Sequence, residues 1–175
     1  MVEPLIQKLI RDVPDFPKPG ITFKDITPLL ADPQAMALVY EAMAAPFLAG
    51  DPKVDRVLGI ESRGFIFGTP LAQRLGVGFA PVRKPGKLPW RTVSESYALE
   101  YGTDTLELHE DAVVKGENVL VVDDLLATGG TLRATCRLVE RLGAKVAACC
   151  VLIELGFLQG RKNLEGRRVH SVIRY

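Results

Sequence analysis

The chain has 175 residues, of which 47% are hydrophobic and 25% charged. These proportions exclude disordered and fibrous proteins. The length predicts a single domain spanning residues 1–175. Lysine and arginine number 22 against 21 acidic residues, so the chain lacks the positive surplus that general binding to nucleic acid or membrane surfaces needs. It also contains no apolar run of about 18 residues and no export signal. We therefore expect neither a nucleic-acid nor a membrane partner.

The cysteine and histidine pattern bears on the compartment and on metals. The three cysteines are Cys136, Cys149 and Cys150, an odd number without a CxxC pair, which favours a reduced cytoplasmic protein. The two histidines, His109 and His170, lie far apart and away from the cysteines. This spacing predicts no transition-metal site built from protein ligands alone.

The first half of the chain alternates loops, helices and strands. Apolar residues at helical spacing predict a short helix over 3–11, and four prolines with Gly20 predict a loop over 12–28. Asp32 followed by Pro33 is typical of a helix start. The later elements are predicted as a helix over 33–48, a strand over 54–60, a helix over 65–75 that ends at Gly76, and a strand over 77–82.

The second half continues the alternation after a break. Residues 83–91 combine four basic residues with Pro85, Gly86 and Pro89 and are predicted to form a loop. Alternating apolar residues then predict two extended arms with a turn at Gly102–Thr103. The remaining elements are predicted as a strand over 119–122, a helix over 131–142, and strands over 145–153 and 169–173. The whole pattern predicts an α/β fold with an open, mostly parallel sheet flanked by helices.

The run from Val119 to Thr131, VLVVDDLLATGGT, carries the strongest chemical signal. It places two acids and a small-residue turn at the carboxyl end of a buried strand, where open α/β sheets bind ligands. Gly129 and Gly130 let the backbone approach a ligand, and the amides of 127–131 with the Thr128 and Thr131 hydroxyls offer donors to a phosphate. Ionised carboxylates only accept hydrogen bonds, so Asp123 and Asp124 suit a diol. Together they indicate a ribose 5-phosphate.

A plainer interpretation of the same run is that the acids end a strand and the Thr-Gly-Gly-Thr turn begins a helix. Neither a GxxxxGK[ST] loop nor a GxGxxG turn occurs in the chain. P-loop nucleotide hydrolysis and dinucleotide binding therefore lose their usual support.

Residues 119–131 resemble the phosphoribosyl diphosphate motif of the type I phosphoribosyltransferases. Residues 15–28, 61–65, 83–89 and 97–102 also resemble segments of that family, in the same order, and the similarity is greatest to members that use adenine. The resemblance implies transfer of a phosphoribosyl group from 5-phosphoribosyl 1-diphosphate (PRPP) to N9 of adenine, giving AMP and diphosphate. It also implies Mg²⁺ as cofactor, carried mainly by substrate oxygens without a direct protein ligand, and a homodimer.

The same resemblance implies roles for individual residues. Those expected to bind PRPP and AMP are Ser62, Arg63, Arg83, Lys84, Lys87, Asp123, Asp124, Ala127, Thr128, Gly129, Gly130 and Thr131. Thr22, Phe23 and Lys24 are expected to bind adenine from a small N-terminal hood loop (residues 12–28). A flexible β-hairpin lid (residues 83–105) is expected to close over the ligands and exclude water.

Glu100 is the expected catalytic acid/base, because the resemblance places it near N7 of adenine. Blander interpretations remain open for several of these residues. Glu100 could be an exposed strand residue, Phe23 ordinary core, and the basic loop a solvated surface. Trp90 fits either the lid or a dimer contact.

Two other functions compete with transfer to adenine. The acceptor could be hypoxanthine, guanine, xanthine or orotate, since the ribose-phosphate half of the site would look the same; Phe23 and Glu100 favour adenine. The protein could instead be a regulator that binds PRPP without turnover. The near-zero net charge and the lack of room for a helix-turn-helix segment disfavour that alternative.

Overall fold

The computed structural model describes residues 3–98 and 102–175. They fall into two compact units, Met1–Ala42 and Met43–Tyr175. The single domain expected over 1–175 stays a prediction.

The first unit contains short elements. They are the helix α1 (Glu3–Gln7), the strands β1 (Arg11–Val13) and β2 (Phe23–Asp25), the helix α2 (Thr27–Leu30) and most of the helix α3 (Pro33–Ala44). The strands pair antiparallel, so the loop expected over 12–28 is interrupted by a two-stranded sheet. The Asp32 side chain accepts hydrogen bonds from the amides of Gln34 and Ala35 at 3.0 and 2.9 Å, which confirms it as the N-cap of α3.

The second unit is built on a five-stranded sheet. Its elements are β3 (Arg56–Ile60), α4 (Gly64–Leu75), β4 (Gly78–Val82), β5 (Thr92–Ala98), β6 (Thr103–His109), β7 (Asn118–Leu126), α5 (Gly130–Arg141), β8 (Lys145–Glu154) and β9 (Val169–Arg174). The sheet order is β4-β3-β7-β8-β9, and every neighbouring pair is parallel. The predicted open, mostly parallel α/β sheet flanked by helices is confirmed, with all four pairings of this sheet parallel.

The sheet order places a topological switch point between β3 and β7. The chain leaves β3 towards β4 on one side and returns to β7 on the other side. Loops that follow neighbouring strands diverge at such a point and leave a crevice at the carboxyl ends, which is where ligands bind in this architecture. The segments that follow β3 and β7 contain Glu61–Arg63 and the phosphate loop (residues 127–131).

The strand β7 extends further than its sequence predicts. The apolar run ends at Val122, but pairing with β8 continues as far as Leu126 opposite Glu154. Asp123 and Asp124 therefore lie within the strand. The pairing partner, and not the local run of apolar residues, decides where this strand ends.

β5 and β6 form an antiparallel hairpin outside the main sheet. Leu106 and Leu108 of β6 are fully buried, as is most of Tyr97 in β5. They join a core cluster with residues of the central strands, α5 and Leu164. Two extended arms are thereby confirmed, while Leu99, Glu100 and Tyr101 lie outside the described residues.

Across residues 3–98 and 102–175, no helix has both the length and the apolar character needed to cross a membrane.

Candidate functional site

A cavity of about 420 Å³ opens at the switch point. Segments following β3 and β4, the hairpin, β7 and the start of α5 all contribute to its wall. The lining residues are Glu61, Ser62, Arg63, Lys84, Tyr97, Asp104, Leu106, Asp123, Asp124 and Thr131. Four carboxylates and two cationic side chains therefore meet in one place.

The acid pair on β7 occupies an environment that disfavours two negative charges. Burial raises the pKa of Asp123 well above its usual value, and the charge of Asp124 raises it further. Burial also raises the pKa of Asp124, while the guanidinium of Arg63, whose Nε lies 2.7 Å from the Asp124 Oδ2, opposes that rise. The pair is therefore suited to a ligand that brings hydrogen-bond donors or positive charge.

Glu61 organises the basic segment that follows β4. Its carboxylate accepts a hydrogen bond from the Lys84 amide at 2.8 Å and lies 3.2 Å from the Nε of Arg83. These hydrogen bonds lower the pKa of Glu61, the amide contributing most. An ionised Glu61 thus fixes the backbone of Lys84 at the cavity edge.

A chain of polar contacts joins the hairpin to the phosphate loop. The Thr131 hydroxyl donates to the Tyr97 hydroxyl at 3.3 Å, and Tyr97 donates to the Asp104 carboxylate at 3.2 Å. Asp104 also forms an ion pair with the ammonium of Lys84. Three segments distant in sequence are therefore connected across one wall of the cavity.

The phosphate loop borders a second cavity of about 210 Å³. Arg63, Asp123, Asp124 and Thr131 line both cavities, so the two are continuous along the acid pair. Gly129 is the N-cap of α5 and has a φ of 83°, a left-handed conformation that favours glycine. The loop thus presents backbone amides and a helix N-terminus, which together suit an anion.

Most of the residues expected to bind PRPP meet at these two cavities. Ser62, Arg63, Lys84, Asp123, Asp124 and Thr131 line the first, and residues 127–131 line the second. Arg83 and Lys87 stand beside the first cavity: Arg83 pairs with Glu61 and donates to the Lys87 carbonyl at 3.4 Å. Their interactions therefore fix the shape of the basic segment.

The expected adenine-binding and acid/base roles concern four further residues. Thr22, Phe23 and Lys24 belong to the first unit, where the Phe23 ring is partly exposed and packs edge-on against Phe16 at 5.3 Å. Glu100 lies outside the described residues. The roles expected for all four stay predictions.

Tyr97 and Asp104 were not among the expected site residues. They occupy directly opposite positions in the hairpin. Asp104 has the same strand parity as the buried Leu106 and Leu108, so it faces the same side. The sequence signal that could have identified Asp104 is its alternation with Leu106 and Leu108, since an acid that shares the inward face of a strand with apolar residues indicates a site. Glu61 was part of a recognised segment without an assigned role.

The donors available to a cation are carboxylate oxygens. Within the described residues, no three histidine, cysteine or acidic side chains form a metal-binding group. Asp123 and Asp124 nevertheless place oxygen atoms at the junction of the two cavities. Such oxygens suit Mg²⁺, which commonly combines one or two carboxylates with water and substrate phosphates.

Comparison with known proteins gives a consistent result. The model of the phosphoribosyl transferase domain matches residues 26–171. An adenine phosphoribosyltransferase from Methylococcus capsulatus is 59% identical over 166 residues, which are 95% of this chain and 96% of that protein. The crystal structure of adenine phosphoribosyltransferase from Thermoanaerobacter pseudethanolicus matches with a TM-score of 0.94 and 55% identity over the full length of both chains.

A more distant structure was solved with ligands. The adenine phosphoribosyltransferase from Saccharomyces cerevisiae, complexed with D-2,5-dideoxy-2,5-imino-altritol 1,6-bisphosphate and adenine, is 38% identical with a TM-score of 0.93. The match covers 98% of each chain.

Proposed function

The chain belongs to the phosphoribosyltransferase family, and we propose that its two joined cavities transfer the phosphoribosyl group of PRPP to N9 of adenine, releasing diphosphate and AMP. The observation that carries the proposal is the distribution of groups over the two cavities: the amides of residues 127–130 line only the second cavity, the acid pair and Arg63 line both, and Lys84 lines only the first. PRPP has the matching order of 5-phosphate, ribose diol and diphosphate. In the yeast relative, the crystallised ligands are adenine and a bisphosphorylated iminosugar.

The phosphate loop (residues 127–131) binds the 5-phosphate in this proposal. Its amides, the Thr128 and Thr131 hydroxyls and the N-terminus of α5 all direct positive potential at an anion. The 5-phosphate is remote from the anomeric carbon, where the bond breaks. Binding it fixes the sugar in place, so that much of the translational and rotational entropy is lost before the reaction begins.

Asp123 and Asp124 hold the ribose hydroxyls. Each carboxylate accepts hydrogen bonds from the diol, which replace the water lost on burial. The anomeric carbon becomes cation-like as its bond to the diphosphate oxygen breaks. Negative charge in a buried acid pair stabilises that carbon.

Positive charge at the first cavity stabilises the departing diphosphate. Arg63 and Lys84 line the cavity, and Arg83 and Lys87 flank it. When bound, Mg²⁺ would supply further positive charge to the leaving group. Asp123 and Asp124 would hold this ion through the ribose hydroxyls, with the substrate providing most of its ligands.

In this proposal the hood loop (residues 12–28) binds the adenine base, and a residue of the lid (residues 83–105) exchanges a proton with it. Phe23 stacks on the purine, while the backbone groups of Thr22 and Lys24 pair with its edge. Glu100 exchanges a proton at N7 while N9 forms the bond to the anomeric carbon. The partly exposed ring of Phe23 supports this assignment.

The proposal also includes the compartment and the assembly. Cys136, Cys149 and Cys150 are all buried free thiols, which suits a reducing cytoplasm. The functional form is a homodimer.

The decisive experiment follows nucleotide formation from PRPP and Mg²⁺ with adenine, hypoxanthine, guanine and orotate in parallel. AMP from adenine, with little product from the other bases, is the expected result. Product from another base alone would overturn the adenine assignment and leave the phosphoribosyl transfer. Tight PRPP binding without any turnover would support the regulator instead.

A further inference from the structure

The phosphate loop packs against residues 156–164, which we call the support segment. None of the residues expected to bind substrate lies in this segment. Two short 3-10 helices, Gly156–Leu158 and Gly160–Leu164, make up most of this segment. The contacts between the support segment and the loop are unusually close. They involve three consecutive loop residues.

Gly160 touches the loop where no side chain could fit. A Cβ at Gly160 would overlap the carbonyl oxygen of Ala127 and lie 2.8 Å from the Leu126 Cδ1. In the opposite direction, a Cβ on Gly129 would lie 2.5 Å from the Gly160 carbonyl oxygen. Two glycines on two segments are therefore both required for one backbone-to-backbone contact.

Asn163 makes the polar contact. Its side-chain amide donates a hydrogen bond of 2.7 Å to the carbonyl oxygen of Thr128. The carbonyls of Ala127 and Thr128 thus both face the support segment.

This arrangement decides what the loop presents on its other side. The peptide bonds of the loop are trans, so the N–H groups of Thr128 and Gly129 point opposite to the carbonyls of the preceding residues. Within the described chain, the wall of the 210 Å³ cavity includes the loop and no residue of the support segment. The cavity therefore lies against the face that carries the N–H groups. The carbonyl oxygens, which would repel a phosphate, are held away from it.

The support segment is itself anchored by a buried acid. Glu154, at the end of β8, is 3% exposed and forms a two-point ion pair with Arg161, with N–O distances of 2.8 and 2.7 Å. Ser171 of β9 donates to the same carboxylate at 2.8 Å. Bidentate pairs of this kind fix orientation as well as distance. Arg161 stands between Gly160 and Asn163 in the chain, so the anchor sets the position of both.

We propose that Gly160 and Asn163 are positioning residues for the 5-phosphate group, because they orient the peptides of the phosphate loop so that the Thr128 and Gly129 amides face the ligand. The inference rests on the proposed function for the identity of the ligand. Its physical content is the binding of a sugar phosphate by oriented amides.

The test compares Asn163→Ala and Asn163→Asp with the unmodified protein. Both variants remove the donor to the Thr128 carbonyl, and Asn163→Asp adds a negative charge beside it. The matched control is Lys162→Ala, which truncates an exposed neighbour on the same 3-10 helix. The readouts are the Kd for ribose 5-phosphate from calorimetry, the KM for PRPP and for adenine, kcat and the thermal midpoint.

We expect the Kd for ribose 5-phosphate and the KM for PRPP to rise about 2- to 12-fold in Asn163→Ala, the effect of one hydrogen bond, and further in Asn163→Asp. The KM for adenine and kcat at saturating PRPP should stay within about twofold. Lys162→Ala should match the unmodified protein in every readout.

Two results would overturn the inference. One is an unchanged Kd for ribose 5-phosphate in both Asn163 variants. The other is an equal fall in kcat/KM for PRPP and for adenine, together with a lower thermal midpoint. Absence of AMP formation by the unmodified protein would instead overturn the proposed function. The calorimetric titration would then still decide the inference about the loop. Gly160→Ala gives a second test, with a larger rise in the same Kd, because its Cβ forces the Ala127 carbonyl to move.

Discussion

Asp123 is the residue whose environment has the clearest energetic consequence. Burial and the charge of Asp124 raise its pKa well above the usual value of 3.8. Between 3.8 and the raised pKa, the folded protein binds more protons than the unfolded chain, so stability falls as pH rises through that window. At any pH above this window, the folded protein keeps the full loss of stability. Asp123 therefore destabilises the folded protein at neutral pH.

Asp123→Asn should raise the stability of the protein at pH 7.5 while abolishing most activity. The asparagine cannot ionise, and its Oδ1 can still accept the 2.9 Å hydrogen bond from the Asp124 amide. We expect a gain of about 1 kcal/mol, or about 2–4 °C in Tm. The gain should shrink as pH falls towards 4, because the wild-type aspartate becomes protonated there.

Thermal unfolding between pH 4 and 8 checks this prediction. Asp111→Asn, which changes an exposed acid, serves as the control and should show no such pH-dependent gain. A constant loss of stability at every pH in Asp123→Asn would show that the buried charge of Asp123 does not destabilise the folded protein.

Glu100→Gln should lower kcat by about 10²- to 10⁴-fold, because the amide cannot exchange the proton that a general acid/base supplies. The KM for PRPP should change little, since the carboxyl acts on the base and not on the phosphates. Steady-state kinetics with both substrates varied measures the two effects separately. Glu110→Gln, on an exposed turn, is the matched control, and an unchanged kcat in Glu100→Gln would remove this residue from the mechanism.

At the scale of single residues, the sequence was informative wherever backbone chemistry decides the role. Gly129 is an example, because a small-residue turn before a helix has few other uses. Asp104 shows the limit of this reasoning. Its place on the cavity wall depends on hairpin register and on the distant Lys84, and neither is written in the residues adjacent to it. Asn163 is similar, since its partner Thr128 lies 35 residues earlier.

The β5–β6 hairpin is the element expected to respond to the substrate. Its outer part is tied to α5: Glu95 forms ion pairs with Arg137 at 3.3 Å and Arg141 at 2.5 Å, and Arg141 also donates to the Ser94 carbonyl. The other end bears Tyr97 and Asp104 on the cavity wall. Any movement that accompanies ligand binding is therefore expected to be hinged near Glu95.

Hydrogen exchange across residues 83–105, with and without PRPP and Mg²⁺, tests this expectation. Protection should increase over residues 96–105 when the substrate binds, because lid closure excludes water. Residues 92–95 should change little, and the buried strand β8 serves as an internal reference. Equal exchange in both conditions throughout 83–105 would argue against a lid.

Elements with strong local patterns were predicted well from the sequence. The helix α4 ends at Leu75, and Gly76 follows with a left-handed φ of 69°, as the Gly76 stop signal indicates. Elements that depend on distant pairing were not. β1 and β2 are three residues each and exist because they pair with each other across a proline-rich loop, and such short strands leave no alternating pattern to detect.

At the scale of the whole molecule, the predicted homodimer is a direct target. Light scattering coupled to size exclusion should give a mass twice the 19.1 kDa of the chain. The chain carries a net charge of only +1, so charge repulsion between two copies offers little resistance to association. A mass equal to one chain, at concentrations where the enzyme is active, would contradict the assembly.

The anchoring of the support segment has a consequence for synthesis on the ribosome. Glu154 needs Ser171 as well as Arg161, and Ser171 belongs to β9, the last strand of the sheet to emerge. A nascent chain that has been translated through β8 already contains every residue proposed to contact PRPP. It still lacks the support segment (residues 156–164), and with it Arg161, as well as Ser171, so both partners of the Glu154 carboxylate are missing. Affinity for the sugar phosphate should therefore arise only after the support segment and β9 have emerged from the ribosome.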